Sequence, residues 1–256
     1  MKMSEELLIS VEDGVMVMTM NRPQAKNAMN KSMAEAISAA IDTFEADNDI
    51  RVAILTGNGG TFCSGMDLKG FFAGDPPPVE GRGSGGIPQY SPAKPLIAAA
   101  EGYALAGGFE LVLSCDLVVA TETTKFGIPE VKRSLVAGAG GVFRLPQQIP
   151  PRIAMELALT GDHYSAERMY EVGLINEVVP TGQALEAAKK LAARIAGNGP
   201  LATAATKKIM QEYKTWPHDE IWQRQQKIMD PVFSSKDAIE GATAFAEKRA
   251  PVWKGE

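Results

Sequence analysis

Short apolar strands alternate with helical segments along the first half of the chain, and this alternation restricts the fold more than any other feature. Residues 52–55, 96–100 and 117–120 have the composition of buried strands. In residues 33–44 the apolar side chains recur at helical spacing, and Asn30 stands where a helix cap is expected. The sequence therefore predicts an α/β core.

The N-terminal region and one internal stretch stand outside this alternation. Residues 7–11 and 15–20 are β-type runs joined by Asp13-Gly14, a dipeptide that tolerates the positive φ of a tight hairpin. Residues 69–94 are rich in glycine and proline. We expect a hairpin at the start and a long loop without regular structure at 69–94.

The second half of the chain is mostly helical in pattern. One strand is predicted at 174–179, and the clearest boundary is Gly197-Asn198-Gly199-Pro200. The helices are predicted at 154–159, 166–172, 184–195 and 201–213. We therefore predict two units, a core at residues 1–197 that carries the functional site and a small helical unit at 198–256.

Charge and cysteine content exclude several classes of function. Lys and Arg number 26 against 31 Asp and Glu, which gives a net charge of −5 without any basic run suited to nucleic acid. Cys63 and Cys115 lie in no Cys-x-x-Cys or Cys/His cluster, which argues against a zinc site and is typical of a reducing compartment. No signal-peptide core or run of eighteen apolar residues occurs. We expect a soluble, cytoplasmic protein that binds neither nucleic acid nor membrane.

A carboxylate in apolar surroundings follows a pair of glycines in Gly107-Gly108-Phe109-Glu110-Leu111. If the glycines open a helix, its first N–H groups lack internal partners and can stabilise an anion. The glycines could equally do no more than allow a tight turn between strand and helix. An unpaired carboxylate in such surroundings costs several kcal/mol or takes up a proton.

A second carboxylate, Glu130, lies between Pro129 and Val131. Two such carboxylates brought together do not both ionise easily, which gives one acid and one base near neutral pH. The alternative is that Glu110 faces solvent and that Glu130 pairs with Lys132 or Arg133. Spacing alone leaves both readings open.

Other candidates for chemistry are weaker. The glycine-rich residues 57–67 could bring backbone N–H groups close to a ligand, but they lack the ending of a phosphate-binding loop. Ser64 is not the nucleophile of a hydrolase, because Phe62 stands where that motif needs glycine. His163 and His218 lie in polar, turn-like settings, and the two cysteines suit inert packing.

Taken together, these segments resemble the enoyl-CoA hydratase/isomerase (crotonase) family over essentially the whole chain. The resemblance rests on Asn21-Arg22-Pro23, Asn27-Ala28-Met29, Phe62-Cys63-Ser64-Gly65-Met66-Asp67-Leu68, Ala106-Gly107-Gly108-Phe109-Glu110-Leu111, Phe126-Gly127-Ile128-Pro129-Glu130, Gly138-Ala139-Gly140-Gly141 and Ala244-Phe245-Ala246-Glu247-Lys248-Arg249. It implies an α/β crotonase-type spiral of ββα repeats with a C-terminal helical trimerisation unit. It also implies an acyl-CoA thioester substrate, a homotrimer or dimer of trimers, no metal, and no cofactor apart from the coenzyme A of the substrate.

The resemblance assigns roles to individual residues. Ser64 and Gly107 match the backbone donors of an oxyanion hole, Glu110 and Glu130 match the two catalytic glutamates, and Gly138 matches the group that holds water. The positions that match coenzyme A contacts are Lys26, Ala28, Met66, Asp67, Leu68, Phe245 and Lys248. Phe245 and Lys248 would reach the coenzyme A of a neighbouring subunit.

Within that family, the presence of both glutamates implies reversible addition of water across the 2,3 double bond of an enoyl-CoA, as in fatty acid metabolism. Isomerisation through Glu130 alone, dehydration of a hydroxyacyl- or carnitinyl-CoA, and acyl-CoA binding without turnover remain alternatives. The sequence departs from the hydratase pattern at Ser134 and Ala137, and Lys132-Arg133 adds two cations beside Glu130. A cation that reached Glu130 would keep its carboxylate ionised and weaken it as an acid.

Overall fold

A computed structural model describes residues 5–74 and 76–256. The strands of this part of the chain are β1 (Leu7–Glu12), β2 (Val15–Met20), β3 (Val52–Gly57), β4 (Pro78–Val79), β5 (Gly83–Ser84), β6 (Leu96–Ala100), β7 (Tyr103–Leu105), β8 (Leu117–Thr121), β9 (Lys125–Gly127), β10 (Tyr164–Ser165) and β11 (Glu177–Val179). The helices are α1 (Lys31–Ala46), α2 (Leu68–Phe72), α3 (Gly107–Val112), α4 (Gly141–Gln148), α5 (Pro151–Thr160), α6 (Ala166–Glu171), α7 (Ala184–Ala196), α8 (Pro200–Glu212), α9 (Ile221–Phe233) and α10 (Lys236–Glu247). Short 3-10 helices lie at Pro23–Ala25, Pro129–Arg133, Tyr213–Thr215 and His218–Glu220.

Two sheets organise the core. The larger has the strand order β1-β2-β3-β6-β8-β11, and the smaller has the order β10-β9-β7. In the larger sheet β1 is antiparallel to β2, and the other pairs are parallel. After β6 and after β8 the chain passes directly to a strand of the smaller sheet, β7 and β9 respectively. The chain therefore winds as a spiral, and the predicted α/β class is confirmed.

Both faces of the larger sheet are covered. In β6, Leu96, Ala98 and Ala100 pack into the core cluster that includes α1 and α3. Ile97 and Ala99 pack on the opposite face, where α7 presents a row of buried alanines. A strand that is buried on both faces needs apolar residues throughout, which explains the unbroken apolar run of β6.

The local signals in the first sixty residues predict the structure well. β1 and β2 form the expected hairpin around Asp13 and Gly14, both of which have positive φ. Asn30 caps α1, since its side-chain oxygen accepts a hydrogen bond from the Met33 amide at 3.0 Å. These elements depend on contacts between near neighbours in sequence, so the pattern alone could predict them.

The prediction of an irregular loop over residues 69–94 is wrong in part. Asp67 caps α2 by accepting hydrogen bonds from the amides of Lys69 and Gly70, and β4 pairs with β5. The strand predicted at 174–179 is also shorter than expected. The Gly173 and Leu174 amides close a turn on the carbonyls at the end of α6. Only β11 remains of that strand.

Polar contacts tie α8 and the C-terminal segment after α10 to the core. Lys207 of α8 reaches Asp116 at 2.6 Å, and Arg51 donates to the Trp253 carbonyl at 3.1 Å. The boundary between residues 197 and 198 stays a prediction, although α8 does begin close to it. Among the described helices, none is long and apolar enough to cross a membrane.

Candidate active site

Glu110 is buried at the first turn of α3, so the reading that it faces solvent is wrong. Its side chain is 3% exposed. The Oε1 atom accepts hydrogen bonds from the backbone amides of Ala139 at 2.7 Å and Gly141 at 2.8 Å. A Cβ on Gly141 would lie 3.1 Å from Glu110 Cγ, so only glycine leaves the carboxylate this room. The Gly138-Ala139-Gly140-Gly141 segment therefore holds Glu110 in place.

The turn into α3 is strained. Ala106 has φ 51° and ψ −128°, which for a residue with a Cβ costs on the order of 1 to 3 kcal/mol. Hydrogen bonds hold it there: its amide donates to Gly127 at 2.8 Å, and its carbonyl accepts from the amides of Phe109 and Glu110. Because the following Gly107 starts the helix, its own amide has no partner within the helix.

Glu130 lies half-buried in the 3-10 helix Pro129–Arg133. Its Oε2 atom is buried and has no hydrogen-bond partner among residues 5–74 and 76–256. Lys132 turns away and forms an ion pair with Asp162 at 2.7 Å. Within the described residues, Arg133 makes no ion pair with Glu130 either. The alternative in which a neighbouring cation neutralises Glu130 is therefore wrong.

The surroundings of both glutamates raise their pKa values. Burial, with a further contribution from the negative charge of Glu110, raises the pKa of Glu130 to about 7. Burial also raises the pKa of Glu110, while the Gly141 and Ala139 amides and the charge of Arg144 oppose that rise. Glu110 is thus equipped to carry the negative charge and Glu130 to carry the proton near neutral pH.

Replacing Glu130 with Gln is expected to stabilise the fold at pH 8.5 and to have little effect at pH 5. The folded-state pKa of about 7 lies above the ordinary 4.5. The contribution of Glu130 to the free energy of unfolding is therefore fully present below pH 4.5 and is lost as pH rises from 4.5 through 7. Gln cannot ionise, so the variant avoids this loss of stability at high pH, which is worth about 1 to 2 kcal/mol after solvent screening. Urea unfolding at both pH values measures it, with Glu177→Gln, an exposed position in β11, as the control; a pH-independent difference would contradict the expectation.

The two loops that carry backbone donors pair with each other like strands. The Met29 amide donates to Gly65 at 2.7 Å, and the Asp67 amide donates to Met29 at 2.9 Å. Arg22 braces this pairing, since its guanidinium contacts the Ala28 carbonyl at 2.5 Å and Asp67 Oδ2 at 2.9 Å. The pairing leaves the intervening Met66 amide pointing away from Met29.

The prediction of Ser64 as an oxyanion donor needs correction. The Ser64 amide donates to the Lys26 carbonyl at 3.0 Å and so is already engaged. The amide nitrogen of Met66 instead lies 3.7 Å from the ideal Cβ position of Gly107. Neither the Met66 amide nor the Gly107 amide donates to any residue that the structure describes, and both residues are only half-buried. Met66 and Gly107 are therefore the candidate pair of donors.

The remaining candidates for chemistry do not form a site. Cys63 and Cys115 are buried, and burial raises the pKa of both thiols, that of Cys63 to about 11. No group of three or more His, Cys, Asp or Glu side chains in the described residues could hold a metal ion.

Comparison with known proteins decides the family. A model of the family described as enoyl-CoA hydratase/isomerase matches residues 10–256. The chain belongs to that family. The crystal structure of enoyl-CoA hydratase from Mycobacterium tuberculosis H37Rv is similar with a TM-score of 0.97 and 54% sequence identity, over 99% of this chain and 100% of that one. The predicted crotonase fold is confirmed.

Two curated relatives of this enoyl-CoA hydratase/isomerase family member carry different activities in their names. An enoyl-CoA hydratase of Mycobacterium tuberculosis is 44% identical over 96% of this chain and 95% of its own length. A carnitinyl-CoA dehydratase of Salmonella typhi is 40% identical over 99% of this chain and 100% of its own length.

The residues that the family resemblance assigns to coenzyme A contacts lie in two parts of the chain, the paired loops and the end of α10. Lys26 has a left-handed φ of 50° and its Nζ lies 5.2 Å from the centre of the Tyr103 ring, while Leu68 is the exposed first residue of α2. Phe245 is 88% exposed near the end of α10, and Lys248 ends that helix with a φ of 56°. Their contacts with coenzyme A stay predictions.

Gly138 lies beside the glutamates in an open, exposed position, where an added Cβ would meet only the Val136 carbonyl at 3.9 Å. Its amide donates to no residue within the described ranges. Its role in holding water stays a prediction.

Proposed function

We propose that this family member is an enoyl-CoA hydratase, which adds water reversibly across the 2,3 double bond of an enoyl-CoA thioester. The observation that carries the proposal is the pair of glutamates. Glu110 is buried and held by two backbone amides, and Glu130 has a buried oxygen without a partner and a pKa raised to about 7. This is the arrangement that paired acid and base catalysis uses.

The thioester carbonyl would accept hydrogen bonds from the Met66 and Gly107 amides. The water oxygen forms its bond to Cβ, and the electrons of the double bond move toward the thioester oxygen as an enolate. Two donors stabilise that charge, and one such donor lowers a barrier by about 3 to 4 kcal/mol. Glu110 takes the proton from water and protonated Glu130 delivers its proton to Cα, so that charge and protons balance. The reverse steps give dehydration.

Gly138 completes this proposal as a holder of the attacking water. Its free amide precedes by one and three residues the two amides that orient Glu110, those of Ala139 and Gly141. A water molecule held by the Gly138 amide and by Glu110 would have its proton directed at the base. We place the coenzyme A portion along Lys26, Ala28, Met66, Asp67 and Leu68, as the family resemblance implies.

A second candidate is dehydration of a hydroxyacyl- or carnitinyl-CoA by the same residues. The identity of 40% to a carnitinyl-CoA dehydratase favours including it. The chemistry is the hydratase reaction read backward, so the two candidates differ in the acyl group and not in the catalytic pair. Isomerisation needs only one glutamate, and the buried position of Glu110 between two amide donors argues for a second role.

We also propose a homotrimer or a dimer of trimers, working in the cytoplasm without a metal or a separate cofactor, and a place in fatty acid metabolism. Exposed apolar side chains on the C-terminal helices support association of subunits. They include Trp222, Phe233, Ile239 and Phe245, each at least 67% exposed. Sedimentation of the full chain tests this assembly.

Incubation with crotonyl-CoA tests the proposed activity, because addition of water removes the absorbance of the enoyl thioester. We expect that loss, with 3-hydroxybutyryl-CoA as the product by mass spectrometry. A 3-enoyl-CoA would support only isomerase activity on that acyl chain. The absence of turnover on enoyl-CoA substrates of four to sixteen carbons and on carnitinyl-CoA, combined with ligand-induced stabilisation, would identify a binding protein and overturn the proposal.

A further inference from the structure

Arg144 of α4 contacts two carbonyls that belong to different segments. Its Nη1 donates to the Ala139 carbonyl at 3.1 Å, and its Nη2 donates to the Pro88 carbonyl. The side chain is half-buried, and burial lowers its pKa. A planar guanidinium holds its donors in a rigid fork, so two of its nitrogens can each serve a different acceptor in a defined direction.

The carbonyl that Arg144 holds belongs to the residue that holds Glu110. The Ala139 amide donates to Glu110 at 2.7 Å while the Ala139 carbonyl accepts from Arg144 at 3.1 Å. Gly140, which follows, has a φ of 103°, and a Cβ there would collide with the Arg144 guanidinium. The turn that presents the Ala139 and Gly141 amides to the carboxylate is therefore built around this side chain.

The charge of Arg144 also acts on Glu110. Its positive charge lowers the pKa of Glu110, which burial would otherwise raise further. Two other charged groups lie near Glu110 and Arg144. Glu130 has its pKa raised by the charge of Glu110, and the charge of Arg133 lowers the pKa of Glu130. Arg144 is the cation that faces Glu110 in the part of the chain that the structure describes.

We propose that Arg144 is a positioning residue for Glu110, a role that rests on the proposed hydratase function. It fixes the turn at residues 139–141 against the Pro88 segment, so that both amides stay directed at Glu110 Oε1. Its positive charge also favours the ionised form of Glu110, which is the form that accepts a proton from water. Arg144 has no contact with the reacting atoms in this role, and its effect passes through Ala139 and through its charge.

The test compares Arg144→Met with Arg144→Lys. In Arg144→Met we expect kcat for crotonyl-CoA hydration to fall by about 30-fold with KM within threefold of wild type. The acidic limb of the pH profile of kcat/KM should move to higher pH, because Glu110 is harder to ionise without the positive charge of Arg144. Arg144→Lys keeps the charge but reaches one carbonyl, so the acidic limb should stay near the wild-type position while kcat recovers only in part.

A second measurement does not depend on turnover. The infrared band of the protonated Glu110 carboxyl is titrated in the Glu130→Gln background, and Glu110→Gln identifies the band. With only one glutamate of the pair left, the pKa belongs to Glu110. We expect it to be higher with Arg144→Met than with Arg144. Arg152→Met, an exposed position on α5, is the control and should change neither the pH profile nor the band.

The outcomes separate this proposal from the proposed function. If wild type is inactive on every acyl-CoA but the infrared pKa rises with Arg144→Met, the hydratase function fails and the positioning of Glu110 stands. If wild type is active and Arg144→Met leaves both the pH profile and the infrared pKa unchanged, the role of Arg144 is overturned. A loss of kcat without either shift would reduce Arg144 to a packing residue and would equally overturn it.

Discussion

Replacing Glu110 with Gln should lower kcat for hydration by about 1000-fold, with KM changed by less than threefold. Gln has the same size and keeps an oxygen that can accept from the Ala139 and Gly141 amides, which lie at 2.7 and 2.8 Å. The fold and substrate binding should therefore persist. What disappears is the group that accepts a proton from water, because Glu130, the other carboxylate of the site, holds the proton for Cα in this proposal.

Initial rates with crotonyl-CoA, together with thermal unfolding to check the fold, measure this effect. Glu177→Gln makes the same chemical change at an exposed position in β11 and should keep wild-type kcat. A kcat for Glu110→Gln within tenfold of wild type would show that Glu110 is not the base. Retention of isomerase activity together with loss of hydration would assign Glu110 to water alone.

Replacing Glu130 with Gln should lower kcat in both directions by about 100- to 1000-fold, since the amide cannot deliver a proton to Cα. The pH dependence gives a second signature. Hydration requires Glu130 to be protonated, so the wild-type rate should fall as pH rises through about 7, the value to which burial raises the pKa of Glu130. This fall in rate on the basic side, the basic limb of the pH profile, should be missing from the residual activity of Glu130→Gln.

The pH profile of kcat/KM between pH 5 and 9 measures the limb, which belongs to the coupled pair and not to one residue. Lys132→Met is the matched control, because Lys132 follows Glu130 closely in sequence but forms its ion pair with Asp162. We expect Lys132→Met to leave the basic limb in place. A profile without any basic limb up to pH 9 in wild type would contradict the role of Glu130 as the acid.

Much of the fold could be predicted because its determinants are local. The hairpin needs only two residues that tolerate positive φ, and α1 needs a cap within three residues of its first amides. The prediction failed where composition hid local order. The stretch at 69–94 contains α2, which Asp67 caps, and the paired strands β4 and β5. Glycine and proline content measures average flexibility and does not reveal a single well-placed cap.

The candidate site shows the same division. Glu110 and Glu130 could be predicted from the sequence because a carboxylate among apolar residues is unusual wherever it falls. The oxyanion donor could not be predicted from the sequence. The choice between Ser64 and Met66 depends on which of the two amides donates to the Lys26 carbonyl, almost forty residues away. No periodicity in the sequence distinguishes these two positions, since residues two apart in a strand face the same side.

The sequence by itself therefore determined the N-terminal hairpin, α1, the α/β class and the two candidate glutamates, because each depends on residue type and short-range spacing. Only the tertiary structure decided which groups meet. It directs Lys132 to Asp162, engages Ser64 with Lys26, and brings Arg144 to the carbonyl of Pro88. The physical reason is that several hydrogen-bond or ion-pair partners are available to each polar group. The packing of segments that are distant in sequence determines which of them it contacts.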